Sequence, residues 1–195
     1  MKLSENFSLE ELIKSQTATR KGIDNTPSEE HQDNLKSLCT HVLQPVREHF
    51  GRVVTVSSGY RSPELCTAIG SKITSQHAKG QAADFEIFGV SNKELADYIN
   101  ETLDYDQLIL EFWNESDPNS GWVHCSYSEA NNRKQYLKAY KDENNKTCYA
   151  PIYPGEPMKF VWEKCKAYHQ TVFVTLFNKY QGLVLFLMLL AIYFK

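Results

Sequence analysis

A histidine and an aspartate lie seven residues apart within residues 75–84, and a second histidine follows forty residues later. The three residues are His77, Asp84 and His124. Two imidazoles and one carboxylate suit Zn²⁺, and three protein ligands leave a fourth position for water, as in catalytic rather than structural zinc sites. Small residues around Gly80 allow the backbone to approach closely. The sequence therefore predicts a metallopeptidase-type zinc site.

Such a site needs a base that accepts a proton from water, and Glu111 is our candidate. It is the only carboxylate in the apolar, strand-like residues 108–113, one hairpin away from His124. The alternative is a solvated glutamate on the outer face of an edge strand. Asp106 and Glu86 are the substitutes for the role of base.

Arg61 follows a short β-branched segment, where its guanidinium can point into a cleft. There it would bind a substrate carboxylate or stabilise the developing oxyanion, unless it is an ordinary surface arginine. Ser75 and Gln76 can donate hydrogen bonds to substrate, although Ser75 can equally brace its own loop. Trp122 either lines the cleft or packs. Strand alternation turns Cys125 away from the metal, which favours a core position.

Composition excludes few classes of protein. The chain has 195 residues, 42% of them hydrophobic and 23% charged, as in an ordinary globular protein. The net charge of −3 gives no indication of nucleic-acid binding. The five cysteines form no C-x-x-C pair and the first residues lack the apolar core of a signal peptide, so we expect reduced thiols in a protein made in a cytosol.

The N-terminal third of the chain predicts helices. Ser8 begins a capping box and a short helix, and the polar residues 15–25 are expected to form a surface loop. A second helix is predicted to begin with Thr26 as its N-cap. Its apolar residues recur every three to four positions, and Pro45 should kink it.

The remainder of the first 152 residues is dominated by predicted strands, separated by short helices near residues 63–70 and 91–101. The strands are expected at residues 52–57, 82–88, 106–113, 122–127, 135–141 and 147–152. Helices followed by strands joined through turns predict an α+β fold in which N-terminal helices pack on a mainly antiparallel sheet.

A change of composition divides the chain into a peptidase domain (1–152), a linker or amphipathic segment (153–170) and a hydrophobic helical tail (171–195). The uninterrupted apolar part of the tail, residues 182–194, spans only about 20 Å as a helix, short of a hydrocarbon core of ~30 Å. The whole tail could cross if Lys179 found a partner, a water-filled cavity or the interface. Otherwise it lies in the interface or packs on the domain. We expect membrane association through this tail.

Several motifs occur together in one order. They are S-x-H-x-x-G-x-A-x-D at residues 75–84, W-x-H at residues 122–124, S-S-G-Y-R-S-P at residues 57–63 and the opening N-F-S-L-E-E-L at residues 6–12. In these the chain resembles the zinc D-alanyl-D-alanine carboxypeptidase family (LAS-type metallopeptidases), specifically the single-domain, endolysin-like branch of phages and bacteria. The resemblance covers roughly residues 3–150.

The resemblance implies a hedgehog/D-Ala-D-Ala-peptidase-like fold in which His77, Asp84 and His124 hold zinc. Arg61 matches an arginine that contacts substrate near the metal in relatives. In related dipeptidases the acidic base precedes the last ligand by three residues, where this chain has Gly121, so the base has to come from elsewhere. The hydrophobic tail is not part of the family pattern.

The function that we predict is zinc-dependent hydrolysis of peptide bonds involving D-amino acids in peptidoglycan stem peptides. This would be D-Ala-D-Ala carboxypeptidase or endolysin-type endopeptidase action in cell-wall degradation. The alternatives are a non-catalytic, zinc-stabilised peptidoglycan-binding module and a membrane-tethered structural protein of a virion. We expect a monomer that is made in the cytoplasm of a bacterium or phage-infected host, associates with the membrane and acts on the wall.

Overall fold

Six strands form a single sheet in the computed structural model, which describes residues 1–153. The strands are Val54–Ser58 (β1), Ala82–Ile87 (β2), Gln107–Glu111 (β3), Trp122–Ser126 (β4), Gln135–Lys141 (β5) and Thr147–Pro151 (β6). Their order is β1-β2-β4-β3-β5-β6, and every neighbouring pair is antiparallel except β3 and β5. The predicted α+β class with a mainly antiparallel sheet is therefore confirmed.

Six α-helices accompany the sheet within residues 1–153. They are Leu9–Leu12 (α1), Gln16–Lys21 (α2), Glu29–Leu38 (α3), Gln44–Phe50 (α4), Pro63–Ala68 (α5) and Asn92–Thr102 (α6). The capping box of Ser8 is present as predicted. The predicted loop at residues 15–25 is wrong, because Ser15 caps α2 and Gly22 ends it in the left-handed conformation (φ +66°). This short helix has too little apolar periodicity to be recognised.

The second predicted helix begins two residues later than expected. Its N-cap is Ser28, whose hydroxyl accepts a hydrogen bond from the backbone N–H of His31, and not Thr26. In place of a simple proline kink, the backbone becomes π-helical over Cys39–Leu43 before it continues as α4. Pro45 lies in the first turn of α4, directly after the π-helical turn, so the residue without an N–H stands where the regular α-helical hydrogen-bond pattern is already interrupted.

The two faces of the sheet have different surroundings. One face is fully buried and apolar, and α6 contacts β2, β3 and β4 on this side. Its side chains include Ala83, Phe85, Leu108, Leu110, Val123 and Cys125. Because successive side chains of a strand point to opposite faces, burial of this set fixes the orientation of the residues between them. The residues on the opposite face include Asp84, Ile109, Glu111, Trp122 and His124.

The described residues end before most of the predicted linker and all of the hydrophobic tail. The predictions made for residues 154–195, including the membrane anchor, therefore lie outside the part of the chain that the structure describes. Within residues 1–153, no helix is both long and apolar enough to cross a bilayer.

Candidate metal centre

Three side chains that are distant in sequence meet on the open face of the sheet. Asp84 in β2 and His124 in β4 are direct cross-strand partners, and His77 comes from a 3₁₀ turn at Gln76–Lys79, just before β2. The distance from His124 Nδ1 to Asp84 Oδ1 is 2.8 Å, and His77 Nε2 lies 3.2 Å from His124 Nδ1 and 3.3 Å from Asp84 Oδ1. All three side chains are buried. The structure thus brings together the three ligands predicted from the sequence.

The orientation of His77 is set by its second ring nitrogen. His77 Nδ1 lies 2.7 Å from the carbonyl oxygen of Gly59, and since a carbonyl only accepts, Nδ1 donates and the neutral ring presents a lone pair at Nε2. Gly59 is required because a Cβ there would lie 2.2 Å from the carbonyl oxygen of Leu12. A buried partner that fixes the tautomer in this way is typical of histidines that bind metal.

These atoms fit a metal ion. Four ligands at ~2.0–2.1 Å around tetrahedral Zn²⁺ lie about 3.3–3.5 Å from one another, close to the separations of the three donor atoms. Each of these atoms can offer an electron pair to the same point. Electron-pair donors this close together need either a metal ion or a proton between them, such as a proton on His124 Nδ1, 2.8 Å from Asp84 Oδ1. A His-His-Asp set with one side open to a cleft suits a catalytic Zn²⁺.

Arg61 supports the carboxylate of this cluster. Its Nη2 donates to Asp84 Oδ2 at 2.6 Å and its Nε donates to the hydroxyl of Ser58 at 2.9 Å. One oxygen of Asp84 therefore faces the histidines and the other faces the guanidinium. Arg61 also lines a cleft over the cluster, where a substrate could contact it as predicted.

The protonation states agree with ligand duty. Burial by itself raises the pKa of Asp84, but the neighbouring His77 and His124 outweigh it and hold that pKa well below its usual range. Burial lowers the pKa of His77, against the attraction of Asp84. At neutral pH the carboxylate is therefore ionised and the His77 imidazole is neutral, which are the forms that bind metal.

A cleft of about 570 Å³ opens over the cluster. The predicted substrate-contact residues Arg61, Ser75 and Trp122 line it, as do Gln76 and Glu111. The hydroxyl of Ser75 accepts a hydrogen bond from the backbone N–H of His77 at 3.3 Å, so this serine braces the loop of a ligand while it borders the cleft.

Glu111 is half-buried at the end of β3. Its cross-strand partner is Trp122, which precedes His124 by two residues in β4 and so lies on the same face of the sheet. Burial raises its pKa, and the charge of Asp84 raises it further, while His124 and Arg61 act in the opposite direction. The substitutes Glu86 and Asp106 are not among the residues that line the cleft. Of the three candidates for the base, Glu111 is the one in the cleft.

The structure explains why no acid stands three residues before His124. Gly121 has φ +69°, and a Cβ there would lie 1.8 Å from the carbonyl oxygen of Glu111. No side chain fits at this position without rebuilding the turn between β3 and β4. The close backbone contact instead fixes the end of β3, where Glu111 enters the cleft.

Sequence reasoning missed several residues in and beside the cleft. Lys72, Gln107 and Tyr149 also line it. Tyr149 lies in β6, and the parallel pairing of β5 with β3, which joins the β5–β6 hairpin to the rest of the sheet, could not be read from the sequence. Arg133 was missed as well; it binds Asp106, and Asp106 in turn accepts a hydrogen bond from Gln76, the residue before His77.

A protein-family model described as peptidase M15 matches residues 5–126. The matched region contains the three clustered side chains together with Arg61 and Glu111. It ends with β4, so β5 and β6 follow it. No curated protein sequence matches the chain.

Proposed function

The chain belongs to the peptidase M15 family, as its resemblance to zinc D-alanyl-D-alanine carboxypeptidases predicted, and on this premise we propose a substrate and a mechanism. We propose that it is a zinc-dependent peptidase that cleaves peptide bonds involving D-amino acids in peptidoglycan stem peptides. The observation that supports this most strongly is the buried His77, Asp84 and His124 cluster at the floor of a cleft that also contains Glu111.

Metal binding and proton transfer are assigned to different residues in this proposal. His77, Asp84 and His124 would hold the metal, which when bound supplies Lewis-acid activation of water and of the scissile carbonyl. Glu111 accepts the proton that water loses as its oxygen attacks the carbonyl carbon. It then returns this proton to the leaving nitrogen, so that the C–N bond breaks with a neutral amine as product.

Arg61 has two tasks in this proposal. Its hydrogen bond to Asp84 holds one carboxylate oxygen away from the ligand position and so orients the other. Its location in the cleft also allows the positive charge to stabilise the oxygen of the attacked carbonyl as negative charge develops there. The wall formed by Trp122 and Ser75 would position the peptide.

The decisive experiment measures metal content and hydrolysis on the same preparations. Wild type should contain one zinc per chain and should release D-amino-acid fragments from defined muropeptides, as detected by mass spectrometry. Glu111→Gln should keep its zinc but lose about 10²- to 10⁴-fold in turnover, the usual contribution of a general base.

Glu86→Gln is the matched control, because Glu86 is also a half-buried glutamate of the sheet but lies outside the cleft. It should retain wild-type turnover. Full activity of Glu111→Gln would remove Glu111 from the mechanism. A zinc-loaded wild type that binds muropeptides without cutting them would show a binding module instead of an enzyme.

We also propose that residues 171–195 associate with the membrane and that the protein acts on the cell wall as a monomer. The apolar composition of this segment supports the first statement. Deletion of residues 171–195 should abolish co-sedimentation with lipid vesicles and leave hydrolysis of soluble muropeptides intact. Loss of hydrolysis in the truncated protein would contradict this separation of tasks.

A further inference from the structure

A second cavity, of about 520 Å³, shares Arg61 with the cleft over the metal-ligand cluster. The start of α2, the end of β1 and helix α5 contribute to its walls. Because the side chain of Arg61 borders both spaces, the two cavities are neighbours. The second cavity is therefore placed to hold a part of the substrate that does not react.

The charge of this cavity has one sign. Lys14, Arg20 and Arg61 line it, and no carboxylate of residues 1–153 does. Arg61 is engaged by Asp84, whereas Lys14 and Arg20 are exposed and form no ion pair within residues 1–153. Two cations thus remain available to a ligand, on a chain whose net charge is −3.

The remaining walls suit a peptide that carries an anionic group. The hydroxyl-bearing residues Ser15, Thr17 and Ser57 add hydrogen-bonding groups beside the two cations, while Leu65 and Ile69 add an apolar surface. A carboxylate on a short aliphatic stem matches this combination, because an arginine fork and an ammonium group bind the oxygens and the stem packs on the apolar side.

We propose that this second cavity is a substrate subsite in which Arg20 and Lys14 bind a carboxylate of the peptide whose scissile bond lies over the cluster. The proposal rests on the proposed function. The carboxylate belongs either to the C-terminus of the substrate, as in carboxypeptidase action, or to an internal side chain, as in endopeptidase action. These two sources share one chemistry and can be separated by amidation of one or the other.

The test compares matched substrates with matched variants. Peptides that end in D-Ala-D-Ala are prepared with every carboxylate free, with only the C-terminus amidated, or with only the internal carboxylate amidated. Arg20→Gln and Lys14→Gln should each raise KM about tenfold or more for the free peptide, as expected for the loss of a charge-assisted hydrogen bond. They should have little effect on the peptide whose relevant carboxylate is amidated.

Lys21→Gln is the control, since Lys21 is an exposed cation of the same helix that does not line the cavity. It should leave KM unchanged for all three peptides. Circular dichroism of each variant establishes that the fold is kept, and the exposed Lys14 gives a second variant if Arg20→Gln fails to fold. Equal effects of Arg20→Gln on free and amidated peptides, or equal effects of Arg20→Gln and Lys21→Gln, would overturn the subsite.

Binding separates this inference from the proposed function. The affinity of the three peptides for the Glu111→Gln protein is measured by calorimetry, which does not require turnover. Binding that depends on Arg20 and on one carboxylate, without hydrolysis by wild type, supports the subsite and refutes the peptidase. Hydrolysis by wild type with no preference among the three peptides supports the peptidase and refutes the subsite.

Discussion

Asp84 and Asp106 are both buried carboxylates that bind an arginine, but only Asp84 keeps an oxygen that is available to a metal ion. Asp84 is 8% exposed and Asp106 is 4% exposed. Both oxygens of Asp106 are occupied by donors, since Arg133 binds Oδ1 and Oδ2 at 2.7 Å each and Gln76 donates to Oδ2 at 2.7 Å. At Asp84, only Oδ2 receives a permanently positive donor, from Arg61.

The difference lies in what faces the remaining oxygen. Asp84 Oδ1 faces two imidazole nitrogens, one of which presents a lone pair because the other nitrogen of that ring donates to Gly59. Every oxygen of Asp106 is satisfied by hydrogen-bond donors, whereas Asp84 Oδ1 lies beside imidazole nitrogens and needs a proton or a metal ion between it and them. Burial and an arginine partner alone therefore do not distinguish a metal site from a structural ion pair.

The largest effect is expected from Asp84→Asn. The amide keeps the size of the side chain but loses the charge that holds a metal, so zinc should fall below one per chain and turnover should drop at least about 100-fold. Metal analysis after dialysis measures the zinc content, and a muropeptide assay measures turnover. Asp106→Asn should keep its zinc in the same protocol. An Asp84→Asn protein with stoichiometric zinc would contradict the claim that Asp84, and not Asp106, holds the metal.

Asp106→Asn should instead lower the free energy of unfolding by about 2–3 kcal/mol at pH 7, as for hydrogen bonds to charged groups. The hydrogen bonds from Arg133 hold the pKa of Asp106 below its usual value, against the effect of burial. Its contribution to stability is therefore fully present above the unfolded-state pKa of about 3.9 and is lost as the pH falls toward the lower folded-state pKa.

Urea unfolding of wild type and Asp106→Asn at a series of pH values between 7 and 3 measures this effect. The difference between the two proteins should shrink toward the acid end of the series. A difference that stays constant across the series would mean that the charge of Asp106 does not stabilise the fold.

Arg61→Gln should weaken zinc binding about 10- to 100-fold, because the partner that orients a ligating carboxylate is lost. Competition with a chelator gives the affinity. Arg52→Gln is a suitable control, since Arg52 is exposed and bonds only to the backbone carbonyl of Phe88 among the described residues. Equal affinities of the two variants would show that Arg61 does not act through Asp84.

The smallest effect is expected from Gln76→Ala, which removes the hydrogen bond from the residue before His77 to Asp106 and should lower the free energy of unfolding by about 1 kcal/mol. In an Asp106→Asn background the same substitution should cost less, because the acceptor has lost its charge. A double-mutant cycle of urea unfolding measures this coupling. Strict additivity would mean that Gln76 and Asp106 stabilise the protein independently.

The sequence predicted the metal-ligand cluster because its signal is local. The spacing from His77 to Asp84 is carried by one short segment, and strand alternation placed Asp84 and His124 on one face of their strands. The core side of the sheet was predictable for the same reason, and Cys125 does lie there. The alternation of side chains along a strand depends only on neighbouring residues, so it can be recognised in the sequence without knowledge of the fold.

Long-range pairings were not predictable. Asp106 was considered as a substitute base because nothing in its own segment shows that Arg133, 27 residues later, binds it. The parallel pairing of β3 with β5 depends on how the chain crosses between them, and that pairing decides which residues of β6 reach the cleft. Gly121 departs from the pattern of relatives, and the reason for it, a close contact with the Glu111 carbonyl, is a tertiary contact that no local pattern predicts.

The hairpin of β5 and β6 follows the region matched by the family, and β6 is the last strand of the sheet. Tyr149, 52% exposed on that strand, forms part of the cleft wall. The chemistry and part of the lining are thus encoded in separate, successive stretches of the chain. A library randomised only within residues 147–151 could therefore retune which peptides are accepted while every ligand and the base stay untouched.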